Sequence, residues 1–95
     1  MNTLKNNWQI YILLASDGRL YTGITKNICK RWQLHRNKRG AKFFYGRWPQ
    51  ALQYLESGHT RSSASQREYQ IKQLSRSRKW QFILEHFGPQ LVSVE

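Results

Sequence analysis

Residues 8–24 read WQIYILLASDGRLYTGI, and this stretch decides the fold. Two apolar, β-prone runs, Trp8 to Leu14 and Leu20 to Ile24, flank Ser16-Asp17-Gly18. An Asp-Gly pair readily adopts the positive φ angles of a tight turn, so the stretch predicts a β-hairpin. From Asn27 the spacing becomes helical: Asn27 or Thr25 can serve as N-cap, Ile28 and Trp32 lie four apart on one face, and the helix is predicted to end near Arg36. The glycines, Pro49 and the aromatics Phe43, Phe44, Tyr45 and Trp48 mark residues 37–49 as an ordered loop. Ala51 to Glu56 alternates as a third strand, broken by Ser57-Gly58. Ser62 or Ser63 then opens a helix to about Leu74. Ser75 opens another, in which Trp80, Ile83, Leu84 and Phe87 fall at i, i+3, i+4 and i+7 before Gly88-Pro89 stops it. Gln90 to Glu95 would be a frayed tail or a swapped edge strand. The predicted class is α+β, a small three-stranded antiparallel sheet flanked by helices. One domain over residues 1–95 is expected, with a core at about 8–87 and a short tail at 88–95.

Sixteen Lys and Arg against five Asp and Glu give a formal charge of +11, alongside four Trp, five Tyr and four Phe. Such a surplus points to a polyanionic partner. Nucleic acid leads, because phosphate binding releases condensed counterions and rewards scattered Lys and Arg without any base reading. An anionic membrane is the rival. Membrane-surface helices segregate a basic face from a broad apolar one over one long segment, whereas here the basic residues punctuate several short elements. No run approaches the roughly 20 apolar residues of a membrane span. The segment from Lys5 to Leu14 imitates a signal peptide, but Gln9 interrupts it and no small-residue cleavage site follows cleanly. The single cysteine, Cys29, leaves no intramolecular disulfide and no multi-cysteine zinc site, and points to a reducing compartment, the cytoplasm.

Hydrolysing a phosphodiester requires a positioned, deprotonated water, a cation facing the charge that builds at phosphorus, and a stabiliser for the departing oxygen. A cation of the magnesium class wants oxygen ligands, which confines the search to Asp17, Glu56, Glu68, Glu85 and Glu95. Asp17 belongs to the turn, Glu95 is terminal, and Glu85 lies off the apolar stripe of its helix. Glu68 lies only about 40° around its helix from Ala64, on the stripe that Ile71 continues, so its carboxylate borders the core. Pairing with Lys72 at i+4 is its ordinary alternative. Arg31 and His35, four apart, point the same way from the first helix and could grip one phosphate, or form a solvated basic face. Tyr11 and Tyr21 occupy the two arms of the hairpin, where antiparallel pairing can bring them together on one face. Plain core tyrosines would look the same.

Gln9-Ile10-Tyr11, nine intervening residues, Tyr21-Thr22-Gly23, Arg31 ten residues after the second tyrosine, and Glu68 on a later helix together resemble the GIY-YIG nuclease family. Phrases such as Tyr21-Thr22-Gly23-Ile24-Thr25, Gly40-Ala41-Lys42 and Ile71-Lys72-Gln73-Leu74-Ser75 resemble its small stand-alone bacterial members. The likeness extends over about residues 8–87, and although no tripeptide is specific alone, these landmarks in order form a joint signal. Gln9 stands where the family motif has its first glycine, and Thr22 where it has its second isoleucine. Many active members carry a late asparagine, whereas here none follows Asn37, and Gln73 is the nearest stand-in.

The resemblance implies that Tyr21 orients or deprotonates the attacking water with help from His35. Tyr11 would hold the phosphate or its tyrosine partner, and Arg31 would offset charge on the phosphoryl oxygens. Glu68 would be the one protein ligand to Mg²⁺ or Mn²⁺, and Gly23 would allow close backbone packing. Lys26, Arg36, Lys38, Arg39, Lys42, Arg47 and Arg67 are the expected nucleic-acid contacts, with Arg61, Arg76, Arg78 and Lys79 extending the positive surface. The loop from Arg36 to Trp48 resembles a basic groove with stacking rings, although its aromatics could equally cover the core. The expected function is a metal-dependent endonuclease acting on DNA rather than RNA, selective for branched or flapped structures and linked to repair or recombination. A non-catalytic nucleic-acid-binding module that keeps the fold and the charge is the alternative.

Overall fold

A computed structural model of the chain describes the backbone of residues 6–94 and the side chains of residues 6–86. β1 (Trp8–Ala15) and β2 (Leu20–Thr25) form the predicted hairpin, paired from Gln9 opposite Thr25 to Leu14 opposite Leu20. Its turn closes when Gly18 N–H donates to the Ala15 carbonyl at 2.9 Å and Ala15 N–H donates to the Arg19 carbonyl at 2.8 Å. Gly18 sits at φ +90°, an angle that a residue without Cβ adopts at little cost. Asp17 serves the turn as predicted, its Oδ1 accepting from Arg19 N–H at 3.1 Å.

β3 (Pro49–His59) pairs antiparallel with the other side of β1, giving the order β2-β1-β3. It exceeds the predicted Ala51 to Glu56 at both ends. Pro49 is tolerated as the first residue of an edge strand, where a missing N–H leaves no ladder bond unmade. At the other end Ser57-Gly58 does not break the strand. Trp8 lies opposite His59 and Ile10 opposite Glu56, so β3 carries one extra residue at this point, absorbed as a bulge with Gly58 at φ +83°.

Side chains alternate along β1 between two buried faces, and that is why the run reads as almost continuously apolar. Ile10 and Ile12 face α2 (Arg61–Lys72) and α3 (Arg76–Val94), packing with Ala64, Ile71 and Ile83. Tyr11, Leu13 and Ala15 face the opposite way, against Ile28 and Trp32 of α1 (Ile28–Arg36) and Phe44 of a 3₁₀ turn (Lys42–Phe44). No helix among the described residues is long and apolar enough to cross a membrane.

The helix ends explain the placement of the elements. Asn27 caps α1, its side chain accepting from Lys30 N–H at 3.0 Å, and Gln9 Oε1 reaches across from β1 to accept from Ile28 N–H at 3.2 Å. Gln9 thus satisfies a helix donor that a glycine could not. α2 begins earlier than predicted: Thr60 is the N-cap, and Ser63, one of the two predicted caps, is its partner in a reciprocal capping box. Ser75 opens α3 as predicted, accepting from Arg78 N–H at 3.3 Å. The predicted stop at Gly88-Pro89 is not observed, since the α3 backbone runs on to Val94. A proline within a helix removes one donor and crowds the preceding turn, costing about 3 kcal/mol, which weakens a helix without forbidding it.

Candidate active site

The hairpin register sets Tyr11 opposite Gly23, and Tyr21 one diagonal step away on the same face. The two ring centroids are 6.2 Å apart. Gly23 makes this possible, because a Cβ there would lie 2.5 Å from Tyr11 Oη and 3.0 Å from Tyr21 Cε2. Both phenols therefore lie over the space that Gly23 leaves empty.

His35 closes the site from behind. It is fully buried, and its Nδ1 accepts from Ala41 N–H at 3.3 Å while Nε2 lies 2.9 Å from Tyr11 Oη. With Nδ1 used as an acceptor, the neutral ring carries its proton on Nε2 and donates it to the tyrosine oxygen. Burial, reinforced by the Arg31 charge, pushes His35 down to about 4, so the ring stays neutral at pH 7. His35 therefore does not share a phosphate grip with Arg31: it has no exposed nitrogen to offer. Nor does it hydrogen-bond Tyr21, whose ring it meets edge-on at 5.4 Å. The sequence missed Gly40, whose Cβ would fall 2.9 Å from His35 Cε1 and nearer still to Nδ1. The signal available was Gly40-Ala41, a glycine followed by the residue whose N–H orients the imidazole.

Burial pushes the Tyr11 phenol up to about 12, reinforced by Tyr21 and Glu68 and opposed by Arg31. The opposing influences identify the neighbours: a guanidinium, a second phenol and a carboxylate all act on one hydroxyl. Since Tyr11 Oη receives the histidine proton, its own O–H is left to donate to a second acceptor. Arg31 is only partly exposed, and its Nε is buried without a hydrogen-bond partner, a donor held dry and unused. On the β2 side of α1, Thr25, Lys26, Asn27, Lys30, Arg31 and Leu34 line a groove of about 310 Å³. Lys30, which nothing in the sequence singled out, shares this groove with Lys26 and Arg31.

The other carboxylates are occupied. Asp17 pairs with Arg47 at 2.7 Å. Glu56 accepts from the Tyr54 hydroxyl, lies 2.6 Å from His59 Nε2, and accepts from Arg67 Nε at 3.1 and 3.2 Å. Although desolvation would raise it, these bonds hold Glu56 below the usual carboxylate range. Glu85 is exposed, and Glu95 lies outside the described residues. Glu68 pairs with Lys72 through Oε2 at 3.2 Å, as its ordinary reading predicted, and Oε1 has no partner among the described residues. Among those residues no three His, Cys, Asp or Glu side chains gather as a metal cage. One free carboxylate oxygen suits a hard cation of the magnesium class, which retains most of its water.

The expected nucleic-acid contacts divide in two. Lys38 Nζ donates to the Phe44 and Arg47 carbonyls at 3.0 and 2.9 Å, Arg47 is held by Asp17 and stacks on Phe43 at 4.5 Å, and Arg67 is held by Glu56. Those three brace the fold. Lys26 lies 5.6 Å over the Trp8 ring, whereas Arg36, Arg39 and Lys42 are exposed and their side chains have neither an ion pair nor a hydrogen bond among the described residues. The aromatic loop divides likewise: Phe44 is core, Phe43 half-covers it, and Tyr45 and Trp48 are exposed. Gln73 is exposed at the C-cap of α2.

A family model described as the GIY-YIG catalytic domain matches residues 7–81. The chain is 44% identical over 80 residues to a UPF0213 protein of Photorhabdus laumondii, covering 84% of this chain and 77% of that one. It is 47% identical over 76 residues to one of Staphylococcus saprophyticus, covering 80% and 93%. The solution NMR structure of a UPF0213 protein of Bacillus halodurans superposes with a TM-score of 0.57 at 35% identity, covering 87% of this chain and 88% of that one. Those names state no activity.

Proposed function

Because the chain belongs to the GIY-YIG family, a superfamily of nucleases, we propose that it is an endonuclease that hydrolyses phosphodiester bonds in DNA with one divalent cation, Mg²⁺ or Mn²⁺. The observation that carries this reading is the Tyr11 hydroxyl, bonded from behind by a buried neutral His35 and acted on by Arg31, Tyr21 and Glu68. A purely structural tyrosine needs one hydrogen-bond partner, which His35 already supplies, and gains nothing from a guanidinium and a carboxylate whose fields reach its hydroxyl.

Each residue then takes a part that its surroundings allow. Tyr11, at about 12, stays protonated at neutral pH and donates its hydrogen to a phosphoryl oxygen. Arg31, only partly buried, offsets with its guanidinium the negative charge that accumulates at phosphorus. Tyr21, partly buried and with no hydrogen-bond partner among the described residues, would orient the attacking water. His35 touches no substrate and acts as a positioning residue that leaves the Tyr11 proton free for a phosphoryl acceptor. Glu68 would hold the cation through Oε1. Once bound there, a divalent cation lowers the pKa of nearby water and stabilises the departing oxygen. Branched or flapped DNA, as met in repair and recombination, is the proposed substrate.

The test incubates the protein with single-stranded, duplex, flap and four-way-junction DNA in Mg²⁺ or Mn²⁺, beside Glu68→Gln. The variant is expected to lose cleavage by at least a hundredfold yet keep wild-type binding, because removing a negative charge does not weaken phosphate contacts. Parallel loss of cutting and binding contradicts the role given to Glu68. A wild type that binds every substrate and nicks none replaces the nuclease reading with the binding module.

A further inference from the structure

On the β3 side of α1, across the helix from the Arg31 groove, Trp32, Arg36, Trp48, Pro49 and Gln50 line a cavity of about 520 Å³. That volume falls within the roughly 300–1,000 Å³ of small-ligand sites. Trp48 is 60% exposed, although the chain around it is fixed. Ser16 N–H donates to the Trp48 carbonyl at 2.9 Å, and Trp48 N–H donates to Ser16 Oγ at 3.2 Å. Lys38 and Arg47 meanwhile tie the carbonyls of residues 43, 44 and 47 together. A large ring left in water on a pinned backbone is a prepared contact surface rather than a mobile loop tip.

The chemistry of the lining selects the occupant. One exposed and one half-buried indole offer flat faces, the Arg36 guanidinium has no anionic partner among the described residues, and the exposed Gln50 has an amide able to meet a base edge. Aromatic faces beside an unpaired cation, in a chain of formal charge +11, complement a stacked base and its phosphate. We infer that this cavity takes an unpaired nucleobase of the nucleic acid bound at the Tyr11 site, its ring stacked on Trp48 and its phosphate on Arg36. Paired bases have no face to present there, so the site selects substrates with a single-stranded segment. The separation from the Arg31 groove is about one helix diameter, ~10–12 Å, which a few nucleotides bridge.

The inference rests on the nuclease reading only for the substrate's identity, and its test is a binding measurement without metal. Fluorescently labelled single-stranded DNA, single-stranded RNA and duplex DNA of equal length are titrated in EDTA with wild type, Trp48→Phe and Trp48→Ala. Trp48→Ala is expected to weaken single-strand binding about five- to a hundredfold while changing duplex binding less than twofold, with Trp48→Phe between. The DNA and RNA arms show which backbone the pocket accepts. Equal losses on single strand and duplex, or none on either, overturn the inference. Preserved single-strand selectivity in a protein that never cuts would sink the nuclease reading and leave this one standing.

Discussion

Above Gly23 two phenols occupy the volume a methyl group would take, so Gly23→Ala cannot be accommodated without moving Tyr11 off His35. Overpacking of this kind costs about 1–3 kcal/mol. The variant should melt several degrees lower and lose cleavage out of proportion to its remaining folded fraction. Circular dichroism and a nicking assay on the same sample check both, and full activity in the folded fraction would show that the phenol's position is unimportant. His35 makes a pH prediction. Its folded pKa of about 4 lies below the ordinary 6.5, so between those values the unfolded chain binds a proton that the folded chain refuses. Stability is thus intact above pH 6.5 and falls as pH drops toward 4, by roughly 3 kcal/mol over the window. His35→Gln should flatten that part of the Tm-against-pH curve, and identical slopes would mean that the imidazole is not neutral in the fold. Tyr11, Tyr21, Arg31 and Glu68 could be picked from the sequence as candidates because each is a chemical type at a recognisable spacing. The direction of His35 was not, because a histidine four residues from an arginine shares its helical side, and only the packing of Gly40 and Phe44 decides which of the two turns inward.

The sheet and helices hold these residues in place through their ends. Thr60 and Ser63 cap α2 reciprocally, and α2 carries Glu68. Thr60→Ala should cost about 1 kcal/mol. In a domain of this size that lowers Tm by about 4–8 °C. Thermal denaturation in the absence of metal checks it, and an unchanged Tm would show that Ser63 and His59 hold the helix start unaided. The hairpin could be read from sequence because its two runs and its Asp-Gly turn are local signals. β3 could not be bounded, since Ser57-Gly58 is a break by composition, and only pairing with Trp8 and Ile10 turns it into a bulge. For the same reason the α2 cap was misplaced: Ser62 and Ser63 have capping chemistry, but the strand delivers the chain to the helix at Thr60. Local chemistry named these boundaries, and tertiary pairing moved them.

Across the whole molecule the net charge of +11 is not one uniform coat. Lys38, Arg47 and Arg67 spend their donors on carbonyls and carboxylates of the chain itself, while Arg36, Arg39 and Lys42 hold theirs toward solvent. Charge that already has an internal partner releases few counterions on binding, so the two groups should behave differently toward salt. Each cation that neutralises a phosphate contributes about one unit to the slope of log affinity against log salt concentration. The double variant Arg39→Gln, Lys42→Gln should therefore lower the magnitude of that slope by about two, with Tm unchanged. Arg67→Gln should leave the slope near wild type while lowering Tm, because it strips Glu56 of its cation. Titrations at a series of potassium chloride concentrations separate the outcomes. Were Arg67→Gln to reduce the slope as much as the double variant, the internal pairs would be opening on the nucleic acid, and the division into bracing and binding cations would be wrong.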